Sequence, residues 1–155
     1  YDVIIIGAGP GGIFAAYELA KKAPELKVAV FEAGNSLEKR KCPIDGKKIK
    51  SCINCKTCAI MSGFGGAGAF SDGKYNITND FGGTLYEYIG KDTAIDLMKY
   101  VDEINLAYGG EGTKMYSTAG TDIKKLCIQN ELKVIRCFCA AFGNRYQLYC
   151  IGKSI

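Results

Sequence analysis

Asp2-Val3-Ile4-Ile5-Ile6-Gly7-Ala8-Gly9-Pro10-Gly11-Gly12 stands almost at the head of the chain, directly after Tyr1. Its first half is a short, mostly β-branched apolar run, the composition of a buried parallel strand. Its second half fits G-x-G-x-x-G. Outward from there, Ile13 to Lys22 reads as a helix, with Ile13, Ala16, Tyr17 and Ala20 on its buried stripe and Pro24 ending it. Val28-Ala29-Val30-Phe31 reads as a second buried strand, closed by Glu32. Strand, glycines, helix, strand and acid in this order make a βαβ unit for a dinucleotide. Gly7 permits the tight turn, Gly9 lets a pyrophosphate approach the backbone, and Gly12 lets the helix pack close to the strand. The helix start offers unpaired N–H groups and a positive dipole end to phosphates. Glu32, about 20 residues past the last glycine, suits a ribose diol and would repel a 2′-phosphate, so NADP is disfavoured here. A glycine turn with no ligand is the competing reading. A lone motif would leave it open; the complete order weighs against it.

The expected fold class is therefore α/β: a Rossmann-like FAD/NAD(P)-binding domain, parallel sheet with flanking helices, and incomplete. A chain of 155 residues is about one domain. Composition is globular, with 48% hydrophobic and 23% charged residues. The net charge of +4 comes mostly from dispersed lysines, and no stripe of arginines and aromatics appears. Nucleic acid is therefore not expected as a partner, and a small-molecule substrate of unknown identity is. No apolar run reaches the ~18 residues of a membrane helix, so no membrane partner is expected either. No signal peptide precedes the first strand, and the chain begins on Tyr1 without Met, which reads as a missing start. Eight cysteines in such a chain suggest thiols or a metal in a reducing cytoplasm rather than a disulfide scaffold.

Ala33-Gly34-Asn35 turns the chain away from the second strand. Leu37 to Lys50 is polar and basic, either a solvated loop or a segment whose Arg40 reaches back to the phosphates or adenosine end of the cofactor. Cys42, Cys52, Cys55 and Cys58 follow with the spacing C-x9-C-x2-C-x2-C. Four thiolates could hold an iron–sulfur cluster or zinc, although the spacing fits no common ligand pattern fully. Redox thiols and structural cysteines are the alternatives. Ile60 to Lys74 is a second glycine-rich stretch, with Gly63, Gly65, Gly66, Gly68 and Gly73 beside Phe64, Phe70 and Met61. Such a backbone can pass close to a flat ring or a phosphate, and its aromatics argue for a cofactor-lining loop over a linker.

Tyr75 to Gly90 reads as irregular. Asp92 or Thr93 is expected to cap a helix whose stripe is Ala94, Leu97, Met98, Val101, Ile104 and Tyr108, stopped by Gly109-Gly110. Thr121 to Asn130 reads as a weaker helix and Leu132 to Arg136 as a short strand.

Tyr1 to Gly34 resembles the N-terminus of FAD-dependent oxidoreductases of the glutathione-reductase-like superfamily. Lys39-Arg40-Lys41-Cys42-Pro43, the cysteine triplet and Ile60 to Lys74 are similar to a bacterial family of FAD-dependent dehydrogenases, with a likeness running from Tyr1 to Arg136. The resemblance implies FAD, with Gly7, Ala8, Gly9, Pro10, Gly11 and Gly12 at the pyrophosphate and Glu32 and Ala33 at the adenosine ribose. It implies Arg40, Gly65, Gly66, Ala67 and Ser71 near phosphates or flavin; the electron donor is not carried over with it, and NAD(P)H is a candidate. No catalytic residue is nominated, because the flavin itself would carry hydride or electrons.

The expected organisation is a partial FAD-binding domain over 1–136, with a cysteine- and glycine-rich insertion over 36–75, and an unmatched tail over 137–155. That tail has no helix or strand period. Ala140 to Ser154 can be written in codons whose reading one base later resembles the family's continuation, so a frameshift near Cys137 is expected, with a genuine divergent tail as the alternative. The parent function implied is FAD-dependent oxidoreduction. The alternatives are an NAD-binding oxidoreductase and a metal-binding or non-catalytic module.

Overall fold

The structure, a computed structural model, describes residues 1–117, 121–132 and 138–141. They fall into two compact units, Tyr1–Ser71 and the described residues from Asp72 onward. The division lies inside the span that the sequence suggests as one domain.

The first unit is the α/β element. Strand β1 (Val3–Ile6) leads through the glycine turn into helix α1 (Pro10–Lys22), which returns the chain to strand β2 (Val28–Phe31). The strands pair in parallel, from Val3 opposite Val28 to Ile6 opposite Phe31. Helix α1 starts with Pro10 in its first turn, where a missing N–H removes no helical hydrogen bond, and extended Gly9 caps it without a side chain. It stops at Ala23, whose N–H donates to Leu19 O, because Pro24 follows. Ile13 and Ala16 are buried as expected, whereas Ala20 is exposed. The strands also depart from expectation. Burial along β1 alternates, leaving Ile4 57% and Ile6 81% exposed, and Val30 and Phe31 of β2 are exposed too. A parallel strand is apolar throughout because both its faces are normally covered. Helix α1 packs on these two strands from one side only, and among the described residues the other face is bare.

The second unit carries an antiparallel sheet in the order β3-β5-β4, formed by β3 (Lys74–Ile77), β4 (Met115–Ser117) and β5 (Phe138–Ala141). Tyr75 lies opposite Ala140 on one side of β5, and Met115 opposite Ala140 on the other. The stretch expected to be irregular thus contains β3 and a short helix α2 (Leu85–Ile89). The unmatched tail contributes β5, too short for a period to show. Helix α3 (Lys91–Asn105) begins one residue before the expected caps. Gly90 is its N-cap, with no side-chain hydrogen bond, and Asp92 and Thr93 lie within the first turn. Most of the expected stripe holds, with Met98, Val101 and Tyr108 half-buried. Ala94, Asp102, Ile104 and Asn105 are buried, while Leu97 is 44% exposed. A five-residue π-turn over Leu106–Gly110, with Gly109 at φ +114°, ends the helix where the glycine pair implied. Helix α4 (Ile123–Gln129) occupies the centre of the weaker helix expected there. The strand expected over Leu132 to Arg136 lies, apart from Leu132, outside the described residues. Among the described residues no helix is long and apolar enough to cross a membrane.

Candidate dinucleotide site

The turn after β1 is built from backbone. Gly7 N donates to Phe31 O at 2.6 Å, which carries the β1–β2 pairing one residue past the strand. Ile13 N donates to Gly9 O at 3.0 Å and closes the first turn of α1. The amides of Gly9, Gly11 and Gly12 donate to no atom among the described residues, and Pro10 has none to offer. Three unpaired donors thus stand at the positive end of a thirteen-residue helix, with Gly11 exposed. Gly12 is required by contact. A Cβ there would collide with Gly7 O and press on Ile5 Cγ2 at 3.3 Å.

Glu32 fastens this turn to the end of β2. Its Oε2 accepts from Ala8 N at 2.8 Å and its Oε1 from Gly34 N at 2.8 Å. These two amides, first Ala8 and then Gly34, hold its carboxyl below the usual value against the opposing effect of burial. The Gly63 amide and the Arg40 charge add to them. A carboxylate has about four lone-pair sites, so two hydrogen bonds leave capacity for a diol. Ala33, next to it, is exposed.

The second glycine stretch folds onto the first. Gly65 N donates to Ala8 O at 2.7 Å, and Phe64 N to Asn35 O at 3.0 Å. Gly66 sits so close that an added Cβ would lie 3.2 Å from both Gly9 Cα and Pro10 Cδ. Gly63, at φ +119°, admits no side chain either: Asn35 O and Arg40 Cδ would lie 2.6 and 2.7 Å from its Cβ. Three loops, 7–10, 32–35 and 63–66, therefore meet backbone to backbone. Ala67 lies exposed in a short 3-10 turn, Ala67–Phe70, and Ser71 is exposed at its end, where its N–H donates to Gly68 O.

Arg40 takes a different part from the one expected of it. It is 3% exposed, and its guanidinium donates to five backbone carbonyls. Nε reaches Ala59 O at 2.8 Å and Nη2 reaches Ile60 O at 2.7 Å. Nη1 reaches Phe64 O at 2.6 Å, Gly66 O at 2.9 Å and, more weakly, Gly63 O at 3.4 Å. The Phe70 ring covers it, with the guanidinium carbon 4.7 Å from the ring centroid. A guanidinium ringed by carbonyls is not presented to a phosphate. It shapes the loop that the phosphates would meet.

Cys42, Cys52, Cys55 and Cys58 share the wall of one pocket of about 240 Å³ with Pro43 and Ile53. Cys42, Cys52 and Cys55 are exposed and Cys58 half-buried, all as free thiols. Asn54 N donates to Cys52 Sγ at 3.4 Å, with Asn54 in the left-handed region at φ +52°. Among the described residues no three His, Cys, Asp or Glu side chains are arranged to hold a metal ion. A single zinc or iron ion thus gains no geometric support from these thiols.

Sequence reasoning put Gly34 and Asn35 in a turn and Gly63 in a cofactor-lining loop, but did not bring the two together. The signal for the glycines was their lack of a side chain. Nothing in the sequence paired position 34 with position 63, where an added Cβ on Gly34 would lie 2.5 Å from Gly63 Cα.

Strand, glycine turn, helix, strand and fastened acid define the first unit as a nucleotide-binding element of Rossmann type within an α/β fold. Residues 1–38 match the model of the Thi4 family. The chain is 64% identical over 33 residues to thiamine thiazole synthase of Yarrowia lipolytica, covering 21% of this chain and 10% of that enzyme. The enzyme of the same name from Phaeosphaeria nodorum matches at 64% over 33 residues, with the same shares. An uncharacterized protein of Clostridium beijerinckii is 39% identical over 71 residues, 46% of this chain and 13% of that protein. These matches span about a tenth of the length of the curated relatives. No solved structure matches the chain.

Proposed function

We propose that residues 1–71 hold FAD and form part of the dinucleotide-binding domain of an FAD-dependent oxidoreductase. The observation that carries this reading is the set of unpaired amides at Gly9, Gly11 and Gly12 beside a Glu32 carboxylate fastened at the same turn. The chemistry of the turn fits the group: free backbone amides suit a pyrophosphate, and Gly66 packs against Gly9 and Pro10 at a distance that leaves no room for a Cβ. Gly9, Gly11 and Gly12 would hold the pyrophosphate and Glu32 the adenosine ribose. Gly65, Gly66 and Ala67 would line the path beyond, and Arg40 would keep that loop in shape. When bound, FAD supplies hydride or electron chemistry at its isoalloxazine ring. Membership of the glutathione-reductase-like group rests on the resemblance of residues 1–34, and the narrower likeness to FAD-dependent dehydrogenases on residues 39–74; NAD(P)H stands as a candidate donor to the whole enzyme. The similarity to thiamine thiazole synthases supports the nucleotide element. It covers 33 residues and gives no ground for carrying over thiazole chemistry.

Titration with FAD and with NAD⁺, followed by flavin fluorescence and by the absorbance band of oxidised flavin, tests the reading. FAD should bind at least about tenfold more tightly than NAD⁺, a difference of about 1.4 kcal/mol, and Gly12→Ala should abolish binding. Equal or tighter binding of NAD⁺ would replace flavin with a nicotinamide cofactor. Binding of neither would end the proposal.

A further inference from the structure

The cysteines of residues 42–58 are a motif that the dinucleotide reading leaves unused. Nine residues line the pocket of about 240 Å³ in the first unit, and four of them are Cys42, Cys52, Cys55 and Cys58. Spacing alone groups only the last three, as C-x2-C-x2-C. In bacterial ferredoxins such a triplet holds an iron–sulfur cluster, and the fourth thiolate comes from a remote cysteine followed by proline. The fold brings a residue of that kind to the same wall: Cys42, ten positions before the triplet and followed by Pro43.

The surroundings suit an anionic group of several atoms rather than one ion. A lone ion would gather its sulfurs at about 2.3 Å, and no three side chains among the described residues are so arranged. The pocket has room for several atoms. From Lys39 to Cys58 stand six lysines and Arg40 against a single acid, Asp45, so four thiolates would find compensating charge. Ile44 and Ile53 line the pocket while 42% and 56% exposed, apolar side chains that a bound cluster would cover and that would keep water from it. The Asn54 amide, carried by a left-handed backbone, donates to Cys52 Sγ, the kind of hydrogen bond that tunes a ligating sulfur. No helix or strand lies within residues 40–66, and a loop this long inside a compact unit is uncommon unless it has a function of its own.

We infer that Cys42, Cys52, Cys55 and Cys58 ligate one four-iron, four-sulfide cluster in this pocket. Each thiol gives up its proton as its sulfur takes one iron. Loading draws the four sulfurs onto one group and so orders the loop, because metal binding is coupled to folding. The pocket is lined by residues 42–44 and 52–59 alone, so the site does not depend on FAD binding.

The test uses the full chain, stripped of metal by a chelator and reconstituted without oxygen from ferric iron, sulfide and dithiothreitol, which reduces part of the iron. The desalted wild type should carry about four irons and about four acid-labile sulfides per chain. It should show a broad visible absorbance that dithionite bleaches. Hydrogen exchange over residues 42–58 should slow on loading. Cys42→Ala, Cys52→Ala, Cys55→Ala and Cys58→Ala should each bring iron down to about three per chain or fewer. Cys127→Ser, in helix α4 and outside the pocket, should keep the full complement. Cys42, Cys52 and Cys55 are exposed, so their variants should keep the wild-type far-ultraviolet circular dichroism. No uptake of iron and sulfide, a full complement in Cys42→Ala, equal loss in Cys127→Ser, or iron without matching sulfide would overturn the inference.

Discussion

The Ala8 amide donates to Glu32 Oε2 at 2.8 Å, joining the glycine turn to a residue 24 positions later. Gly34 N occupies the other oxygen, so the acid placed by the sequence at a ribose is also a clamp within the protein. Because these amides depress the folded-state pKa of Glu32, the stabilisation is fully present above its ordinary value of 4.5 and is lost as pH falls through the lower folded value. Glu32→Gln places an amide where two N–H groups point at oxygen. It should lower stability at pH 7 by about 1–3 kcal/mol, as for loss of hydrogen bonds to a charged group. Urea denaturation at a series of pH values should show a gap between wild type and variant that narrows below pH 4.5. A gap constant with pH would show that the carboxylate charge does not act as a clamp.

Asp102 behaves in the opposite sense. It is buried in α3, its Oδ1 has no hydrogen-bond partner among the described residues, and burial first, then the Glu103 charge, raises its carboxyl above the ordinary value. Nearby, the Tyr75 hydroxyl donates to Met98 O at 3.1 Å and is pushed up to about 12, by burial first and then by Asp102. A raised carboxyl pKa makes the folded state less stable as pH climbs through 3.8, and the penalty is complete above the folded value. Asp102→Asn should therefore raise stability at pH 7 by about 1 kcal/mol, because a neutral amide costs less to bury beside Glu103 than a charged carboxylate. The gain should vanish at a pH well below 3.8, where both forms are neutral. Loss of stability at pH 7 would mean that the carboxylate has a partner that matters.

The nucleotide element was legible because its physics is local. Apolar strand runs, turn glycines, a proline stop and an acid at the second strand's end all lie within Asp2 to Glu32. What lay beyond local reach was less legible. Leu97 fits the stripe drawn from the sequence but faces water, because the face a helix buries is set by what packs on it and not by its own period. Strand β5 pairs on both edges with strands distant in sequence, and four residues show no period. Arg40 was read by its charge. Its burial among carbonyls follows from a loop about twenty residues later, and no rule of composition pairs the two. The bare face of β1 and β2 shows the same limit, since apolar composition states that a strand is to be covered and not what covers it.

Arg40 should hold the second glycine stretch in place. Arg40→Lys keeps the charge but offers three donors from a single nitrogen, which cannot reach carbonyls spread from Ala59 to Gly66. We expect a loss of about 1–3 kcal/mol for Lys, the cost of buried carbonyls left without donors, and a larger loss for Arg40→Ala. Hydrogen exchange at Gly65, whose amide donates to Ala8 O, should quicken in both variants. Protection unchanged at Gly65 would show that the loop keeps its shape without the guanidinium.

Gly11 and Gly12 are adjacent and should respond in opposite ways. A Cβ on Gly12 meets Gly7 O, a backbone atom of a residue whose N–H is held by Phe31 O, so α1 would have to move away from β1. Overpacking of this kind costs about 1–3 kcal/mol, and an immovable neighbour puts Gly12→Ala at the upper end. A Cβ on Gly11 meets nothing within 4 Å, and the residue lies in the first turn of α1. Gly11→Ala should therefore leave stability unchanged or raise it by up to about 1 kcal/mol, from the lower chain entropy of alanine when unfolded. Thermal unfolding of the two single variants beside wild type reads both effects. If Gly12→Ala unfolds with the wild-type protein, α1 does not lie as close to Gly7 as the geometry requires. The glycine turn would then owe its form to its own backbone and not to the helix packed behind it.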